Sequence, residues 1–303
     1  MTLGRKPAAA IGLIGTVAAA GCGLGPGANV GSVSLTVTRD YGATQVVQRP
    51  AEEVNESDTV IRVLDRNAAI TTRYGGGFVQ SINGTEGRHA GSRLLDWFFY
   101  VNGIESSVGA ADYSLHDGER IWWDYRDWCA AMHVPAVVGS FPEPFAHGYE
   151  GKRRSTEVAC ESAGPTCADV RAALRRAGAD LVGAGEGGIR VLVGPWSALR
   201  SDPTAGRIES GPQTSGVFAE FVPTVDGTRL FGLDEDGEPR DAIGTDAGLV
   251  AATRRYDDPP VWIVTGTTSA GLRAAAGLLD PADLRDHYAV AIGAGKETPL
   301  PVR

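Results

Sequence analysis

The chain has 303 residues, a formal net charge of −9 and a hydrophobic fraction of 43%. The length suffices for two globular domains, and the hydrophobic fraction is typical of a folded protein. The excess of acidic residues argues against a nucleic-acid partner, which would require a basic surface, and against attachment to anionic lipids through a polybasic surface.

Residues 1–21 have the charge and hydropathy pattern of an export signal. A basic pair, Arg5 and Lys6, precedes an uncharged apolar run over residues 8–20, and a small residue separates this run from Cys22. This order is typical of an export signal, and the run is shorter than the ~20 apolar residues that span a bilayer. A cysteine at this point resembles the lipobox of bacterial lipoproteins, which implies that Cys22 carries the lipid. An ordinary secretory signal peptide is the alternative.

Residues 22–31 are rich in glycine and poor in large apolar side chains, so we expect a flexible tether between the lipid and the folded part. Two or more acyl chains hold a protein stably on a membrane. No further run is apolar and long enough to span a bilayer. The sequence therefore predicts an exported protein that is anchored by lipid to the outer face of the bacterial cell membrane.

Residues 32–128 are predicted to form an α+β domain. Apolar and polar residues alternate over residues 32–38, as in a half-buried strand. After a second strand, an apolar stripe over residues 60–64 favours a short helix capped by Ser57 or Asp58. Further strands follow, separated by Asn-Gly or Asp-Gly pairs that favour turns. This order predicts a β-rich roll with a helix across a sheet, a β-grasp-like arrangement.

Two stretches of this domain are similar to a known family. The first, Trp97–Gly103, is an aromatic strand that ends in Asn-Gly, and the second is Asp117-Gly118 followed by the aromatic strand Trp122–Tyr125. They resemble the C-terminal domain of transcobalamin and intrinsic factor, and a bacterial family of surface and secreted proteins that shares this pattern. The resemblance implies the fold of that domain, and it makes cobalamin a possible ligand.

The crowding of aromatic residues in this domain suggests a ligand-binding surface, since aromatic side chains give a large contact area at a low entropic cost. Neighbouring residues on a strand point to opposite faces, so Trp122 and Trp123 would differ in their surroundings. The alternative is that all of these side chains fill the core or cover a sheet. The candidate ligand-binding residues are Trp97, Phe99, Tyr100, Trp122, Trp123 and Tyr125.

The rest of the chain is predicted to contain a second domain. Residues 129–154 are apolar and interrupted by prolines, so we expect a bridge that packs along one or both domains. Residues 155–293 alternate strand and helix patterns, which is typical of an α/β domain. Residues 294–303 are expected to be a tail. The helices of the second domain are expected at residues 167–178, 197–207, 247–254 and 269–279.

Three cysteines remain for the folded part, and export would place them in a compartment that permits disulfides. Cys160 and Cys167 are separated by a turn-like stretch, so we expect them to be joined and Cys129 to be a free thiol. A disulfide from Cys129 to either of them is the alternative, because connectivity cannot be read from sequence. The cysteine spacing is not that of a metal site, and no cofactor is expected.

The glycine-rich stretches 183–188 and 293–297 lack the strand–loop–helix context of a nucleotide-binding loop, and residues 265–269, which do lie between a predicted strand and helix, are explained by helix capping. We expect no enzymatic activity. The predicted function is that of a surface lipoprotein that captures a small molecule or glycan, with cobalamin suggested by the resemblance alone. The alternative is a structural or assembly role in which the protein binds another cell-envelope protein. A concave cleft between the domains would favour the first function, and a flat apolar patch would favour the second.

Overall fold

The computed structural model describes Met1, Gly25 and residues 27–182 and 188–303. Cys22 and the apolar run of the predicted signal peptide lie outside the described residues, as does most of the predicted tether. The fold is α+β, with 18% helix and 43% strand. Within the part that is described, no helix is both long enough and apolar enough to cross a membrane.

Residues 29–127 form the first part of the fold, called here the N-terminal half. It contains one helix and strands that belong to two sheets. These elements are β1 (Asn29–Arg39), β2 (Thr44–Asn55), α1 (Val60–Asn67), β3 (Ile70–Arg73), β4 (Phe78–Ile82), β5 (Thr85–Glu86), β6 (Arg88–Ala90), β7 (Arg93–Val101), β8 (Ile104–Glu105) and β9 (Arg120–Asp127).

The larger sheet of this half has the order β2-β1-β9-β7-β6, and β8 pairs with β7. β1 is parallel to β9 and antiparallel to β2, while β7 is antiparallel to β9. Helix α1 buries Val60, Val63 and Leu64, whose spacing places them on one face of a helix. They pack in one apolar cluster with Val33 and Leu35 of β1, so the helix lies against one face of the sheet.

The C-terminal half, residues 155–300, contains the remaining elements. These are β10 (Ser155–Cys160), α2 (Pro165–Arg176), β11 (Asp180–Leu181), β12 (Ile189–Pro195), α3 (Trp196–Leu199), α4 (Pro212–Ser215), β13 (Ala219–Thr224), β14 (Gly227–Leu233), β15 (Pro239–Gly244), β16 (Ala247–Thr253), β17 (Val261–Gly266), α5 (Ser269–Gly277), α6 (Pro281–Leu284), β18 (Ala289–Gly293) and β19 (Lys296–Leu300).

A mixed sheet of seven described strands organises this half, in the order β11-β10-β12-β17-β16-β18-β19. The strands from β11 to β17 are parallel, and those from β17 to β19 are antiparallel. Helices α2 and α5 pack through Val170, Leu174 and Ala275 in one apolar cluster with Val191 and Trp262 of the sheet. A separate sheet of three strands, β13-β14-β15, packs through Phe221 and Leu230 in another cluster.

Several expectations from the sequence need correction. The N-cap of α1 is Thr59 and not Ser57 or Asp58, and it makes no side-chain capping hydrogen bond. Residues 197–207, expected to be one helix, belong in part to α3 (Trp196–Leu199) and in part to a 3-10 helix at Ala205–Ser210. Residues 247–253, expected to be helical, form strand β16, in which every residue is buried between β17 and β18. A strand buried on both faces is apolar throughout and therefore lacks the alternation that identifies a strand. Residues 296–300 of the expected tail form β19, which pairs with β18 and buries Leu300. Residues 29–31 of the expected tether begin β1.

The two halves share an apolar cluster. Tyr41, Tyr100 and Trp122 of the N-terminal half lie in the same cluster as Leu249 and Tyr288 of the C-terminal half. Residues 129–154, the bridge, contribute to it and to the cluster around α2 and α5 as well. The junction between the halves is therefore buried like the interior of a domain.

Cys160 and Cys167 form a disulfide, as predicted, and Cys129 is a free thiol that is exposed. The disulfide joins the end of β10 to the first turn of α2. It thereby fixes the turn between the first strand and the first helix of the C-terminal half.

Candidate functional site

The six aromatic residues proposed as a ligand-binding surface are distributed over both faces of the larger N-terminal sheet. Trp97, Trp123 and Tyr125 are buried in the cluster beneath α1. Tyr100 and Trp122 are buried on the opposite face, in the cluster shared with the C-terminal half.

Both faces of this sheet are therefore covered. Trp122 is 2% exposed and Trp123 is 3% exposed. Phe99 is the one candidate that is partly exposed, and its ring stacks on that of Trp123 with 4.9 Å between centroids. The strand alternation was predicted from the sequence, whereas the cover supplied by a second half was not. The six residues form no open aromatic surface, and five of them serve as core.

A polar network lies inside the junction between the halves. Asp124 is fully buried, and its Oδ1 accepts hydrogen bonds from the Thr38 hydroxyl at 2.6 Å and from the Gly42 amide at 3.1 Å. The Tyr288 hydroxyl donates to Asp124 Oδ2 at 3.0 Å, and Trp122 Nε1 donates to Thr38 Oγ1 at 2.8 Å. Burial raises the pKa of Asp124 from 3.8 to about 6, against the lowering effect of these hydrogen bonds.

Arg126 stands beside this network and is also fully buried. Its guanidinium carbon lies 3.8 Å from the centroid of the Phe98 ring, a cation–π geometry. Its Nη1 and Nη2 donate to the carbonyl oxygens of Ala131 and Met132 at 2.6 and 2.9 Å. Arg126 therefore binds the start of the bridge to strand β9 and has no access to a ligand.

Two of the cavities among the described residues meet at the loop of residues 105–107. This loop follows a tight turn at Asn102 and Gly103, both with positive φ, as expected for the Asn-Gly pair. Asn102 Nδ2 donates to the Gly148 carbonyl oxygen at 2.8 Å, and Asn102 Oδ1 accepts from the Arg120 amide at 2.8 Å. A Cβ on Gly103 would lie 2.7 Å from the Val137 carbonyl oxygen, so the turn needs glycine there.

A first cavity of about 310 Å³ lies on one side of this loop. Most of its lining surface is apolar, from side chains such as Val101, Ile104 and Val108. Its polar groups include Ser107, His116 and the carboxylates of Glu105, Asp112 and Glu150. Behind it, buried Glu119 accepts hydrogen bonds at 2.9 Å from the Tyr113 hydroxyl and from the His116 amide. Burial raises the pKa of Glu119, while these hydrogen bonds oppose the shift.

A second cavity of about 490 Å³ lies on the other side of the loop and is bounded by both halves and the bridge. The two cavities share residues 105–107, and together we call them the cleft. The lining of the second cavity includes Glu105, Ser107, His133, Arg207, Arg254 and Tyr256. His133 Nδ1 is 3.1 Å from Glu105 Oε1. Arg254 Nη2 donates to the Glu105 carbonyl oxygen at 3.3 Å and so ties the C-terminal half to the loop.

No group of three or more histidine, cysteine, aspartate or glutamate residues among those described is arranged to hold a metal ion. What the cleft offers is an apolar floor with hydroxyls, two histidines, two guanidinium groups in the second cavity, and the carboxylates of Glu105, Asp112, Glu150 and Asp257 along its lining. This combination can bind a small molecule, because ligand sites are mostly apolar cavities of about 300–1,000 Å³ with a few polar groups.

The cleft residues were not singled out from the sequence. Those of the second cavity come from four separate segments, around positions 105–107, 133–135, 207–214 and 254–257, and none of these segments carries a motif. One signal was present. Arg254 directly follows the apolar run 247–252 and Thr253, and a charged residue at the end of a buried strand has to find partners.

Part of the N-terminal half is similar to a known protein family. Residues 57–127 are similar to a family described as a domain of unknown function, DUF4430. No curated protein matches the chain. Among solved structures, one from Ruminococcus gnavus, described as a "putative metal binding protein", is 14% identical and has a TM-score of 0.25. It matches over 32% of this chain and 97% of its own length.

Proposed function

We propose that the protein is a non-enzymatic surface lipoprotein that captures a small molecule or glycan in the cleft. The observation that carries the proposal is the pair of cavities that meet at residues 105–107. A concave site of this kind between two packed parts of a protein is a common place for a small ligand. The cleft replaces the aromatic residues as the proposed ligand site, because Trp122 and Trp123 lie on opposite faces of the sheet and both faces are covered.

The relation to transcobalamin-like domains belongs to the same proposal. The helix α1 across the sheet and the parallel pairing of β1 with β9 support a β-grasp-like N-terminal half. Cobalamin remains one compound to test, on the strength of the sequence resemblance in Trp97–Gly103 and Trp122–Tyr125.

A ligand screen on the full chain, purified in a non-ionic detergent, tests this function. We expect at least one member of a panel of metabolites, glycans and cobalamin to raise the melting temperature, since a ligand that binds the native state stabilises it. Ser107 is exposed and lines both cavities, so Ser107→Trp should fill the cleft and abolish the shift. The matched control is Ser162→Trp, an exposed position outside the cleft. Equal shifts for wild type and Ser107→Trp would contradict the proposal.

Anchoring is tested through Cys22. If Cys22 carries the lipid, Cys22→Ser should move the protein from the membrane fraction to the medium or leave it unprocessed, because the acyl chains provide the membrane affinity. Cell fractionation followed by mass measurement of the chain distinguishes these cases. A processed chain that stays in the membrane fraction despite Cys22→Ser would show that the anchor is not lipid on this cysteine.

A second candidate function, binding of another cell-envelope protein, is favoured by a different surface. Tyr74 and Phe78 lie at a loop of the small N-terminal sheet, are both exposed, and have ring centroids 6.2 Å apart. Exposed aromatic residues are enriched at protein interfaces. Photo-crosslinking from position 74 in intact cells would favour this function if a single protein were captured there and if Phe78→Ser reduced the capture.

A further inference from the structure

We infer that the cleft is selective for small molecules that bear an oxyanion, a carboxylate or a phosphate group, and that Arg254 and Arg207 bind this group. The inference rests on the proposed function above and narrows it to a class of ligand. It is carried by the guanidinium groups of the second cavity, whose hydrogen-bonding capacity is only partly used.

Arg254 has donors that no protein group satisfies. Its side chain is 5% exposed, and its Nη2 donates to the Glu105 carbonyl oxygen. Its Nε and Nη1 have no hydrogen-bond partner. Guanidinium groups carry five N–H donors, and buried donors in folded proteins are nearly always paired, so such orphans point to a missing water or ion.

The carboxylates near Arg254 do not supply the missing partners. Glu150 Oε1 lies 3.7 Å from Arg254 Nη1, and Asp257 Oδ1 lies 3.9 Å from Arg254 Nη2, both beyond hydrogen-bond distance. The side chain of Glu150 is 48% exposed and that of Asp257 is 89% exposed. Either carboxylate can therefore turn into solvent when an anion enters, and the charge of Arg254 becomes available to the anion.

Arg207 provides a second donor group in the same cavity. Its Nη2 donates to the Thr214 carbonyl oxygen at 2.5 Å, and its Nε is buried without a partner. Three of the ten buried and unpartnered side-chain nitrogen and oxygen atoms found in the described residues belong to Arg207 and Arg254. Both side chains line the second cavity, which distinguishes them from the other described arginines with an unpartnered Nε, namely Arg39, Arg126 and Arg154.

The chemistry of these groups selects the ligand. The planar fork of a guanidinium matches the two oxygens of a carboxylate or a phosphate, and such charge-assisted pairs are stronger than neutral hydrogen bonds. The chain as a whole has a net charge of −9, so its overall field does not attract anions. Binding of an oxyanion would therefore depend on this local site, with the apolar floor of the first cavity left to contact the rest of the molecule.

Calorimetric titration of the full chain in non-ionic detergent with inorganic phosphate, and separately with succinate, tests the inference. At least one of the two should bind, and the one that binds identifies phosphate or carboxylate as the recognised group. Arg254→Gln should weaken this binding by about tenfold or more, because a charged hydrogen-bonding partner is lost. The matched control is Arg200→Gln, an exposed residue paired with Glu209 outside the cleft, which should bind as wild type does.

Arg207→Gln is a second test variant in case Arg254→Gln does not fold. Arg207 is only half-buried, so the fold should tolerate its replacement. It too should weaken binding, with an unchanged circular dichroism spectrum. Unchanged binding in both folded variants would overturn the inference. A wild-type protein that binds neither phosphate nor succinate would also overturn it, because water alone would then fill the site. If an uncharged compound from the panel still binds and Ser107→Trp abolishes that binding, the proposed function stands while the inference fails.

Discussion

Replacing either Trp122 or Trp123 by alanine should lower the free energy of unfolding by about 3–5 kcal/mol, because each change removes a large buried side chain and leaves a cavity. The two side chains point to opposite faces of strand β9, and each face is covered. Trp122 also loses a hydrogen bond to Thr38 and ring contacts with Tyr100 and Tyr288. Urea unfolding followed by circular dichroism measures both changes.

The matched control is Tyr74→Ala, at an exposed aromatic position, which should leave the free energy of unfolding nearly unchanged. On sequence grounds, an open aromatic surface would make one of the two tryptophan variants as stable as wild type. A stable Trp122→Ala or Trp123→Ala variant would therefore show that one face of the sheet is open in solution and would restore the aromatic residues as a candidate site.

Asp124→Asn should remove a pH dependence of stability between about pH 4 and pH 6. Burial in the folded state raises the pKa of Asp124 from 3.8 to about 6. Between these two pH values the carboxyl is therefore still protonated in the folded chain but already ionised in the unfolded chain. Its contribution to the free energy of unfolding is complete below pH 4 and falls by about 3 kcal/mol as the pH rises through 6. Asparagine stays neutral, its Oδ1 can accept from Thr38 and Gly42, and its Nδ2 can donate to the Tyr288 hydroxyl oxygen, which reverses the direction of that bond.

The measurement compares urea unfolding of wild type and Asp124→Asn at several pH values, because contributions of all other groups cancel in the difference. Wild type should lose stability relative to the variant as the pH rises from 4 to 7. Asp226→Asn, an exposed aspartate in the turn between β13 and β14, is the control and should show no such trend. A difference between wild type and Asp124→Asn that does not change with pH would mean that Asp124 is hydrated.

Local patterns account for the parts of the fold that could be predicted. The alternation at the start of β1, the apolar stripe Val60, Val63 and Leu64 of α1, and the Asn-Gly turn at 102–103 are each specified by neighbouring residues. Strand β16 was missed because the composition Ala-Gly-Leu-Val-Ala-Ala suits a helix as well as a strand, and its burial on both faces depends on partners far away in the chain.

The candidate site could not be predicted for a related reason. The aromatic residues attract attention in the sequence, yet Trp122 and Tyr100 are covered by residues such as Tyr288, some 160 positions or more further along the chain. The second cavity forms where Arg254 and Arg207 of the C-terminal half meet the loop at Ser107. A cavity that forms between segments brought together by packing cannot be predicted from a local sequence pattern.

The position of β1 sets a limit on how this architecture can be inherited. The DUF4430 match at residues 57–127 contains β9 but neither β1 nor β2, although β1 is the neighbour of β9 in the sheet. A gene fragment that encodes only the matched stretch would leave one edge of β9 unpaired and the face of Tyr100 and Trp122 in water. Recombination that moves this stretch between genes should therefore succeed only where the recipient encodes a strand for that edge and a cover for that face.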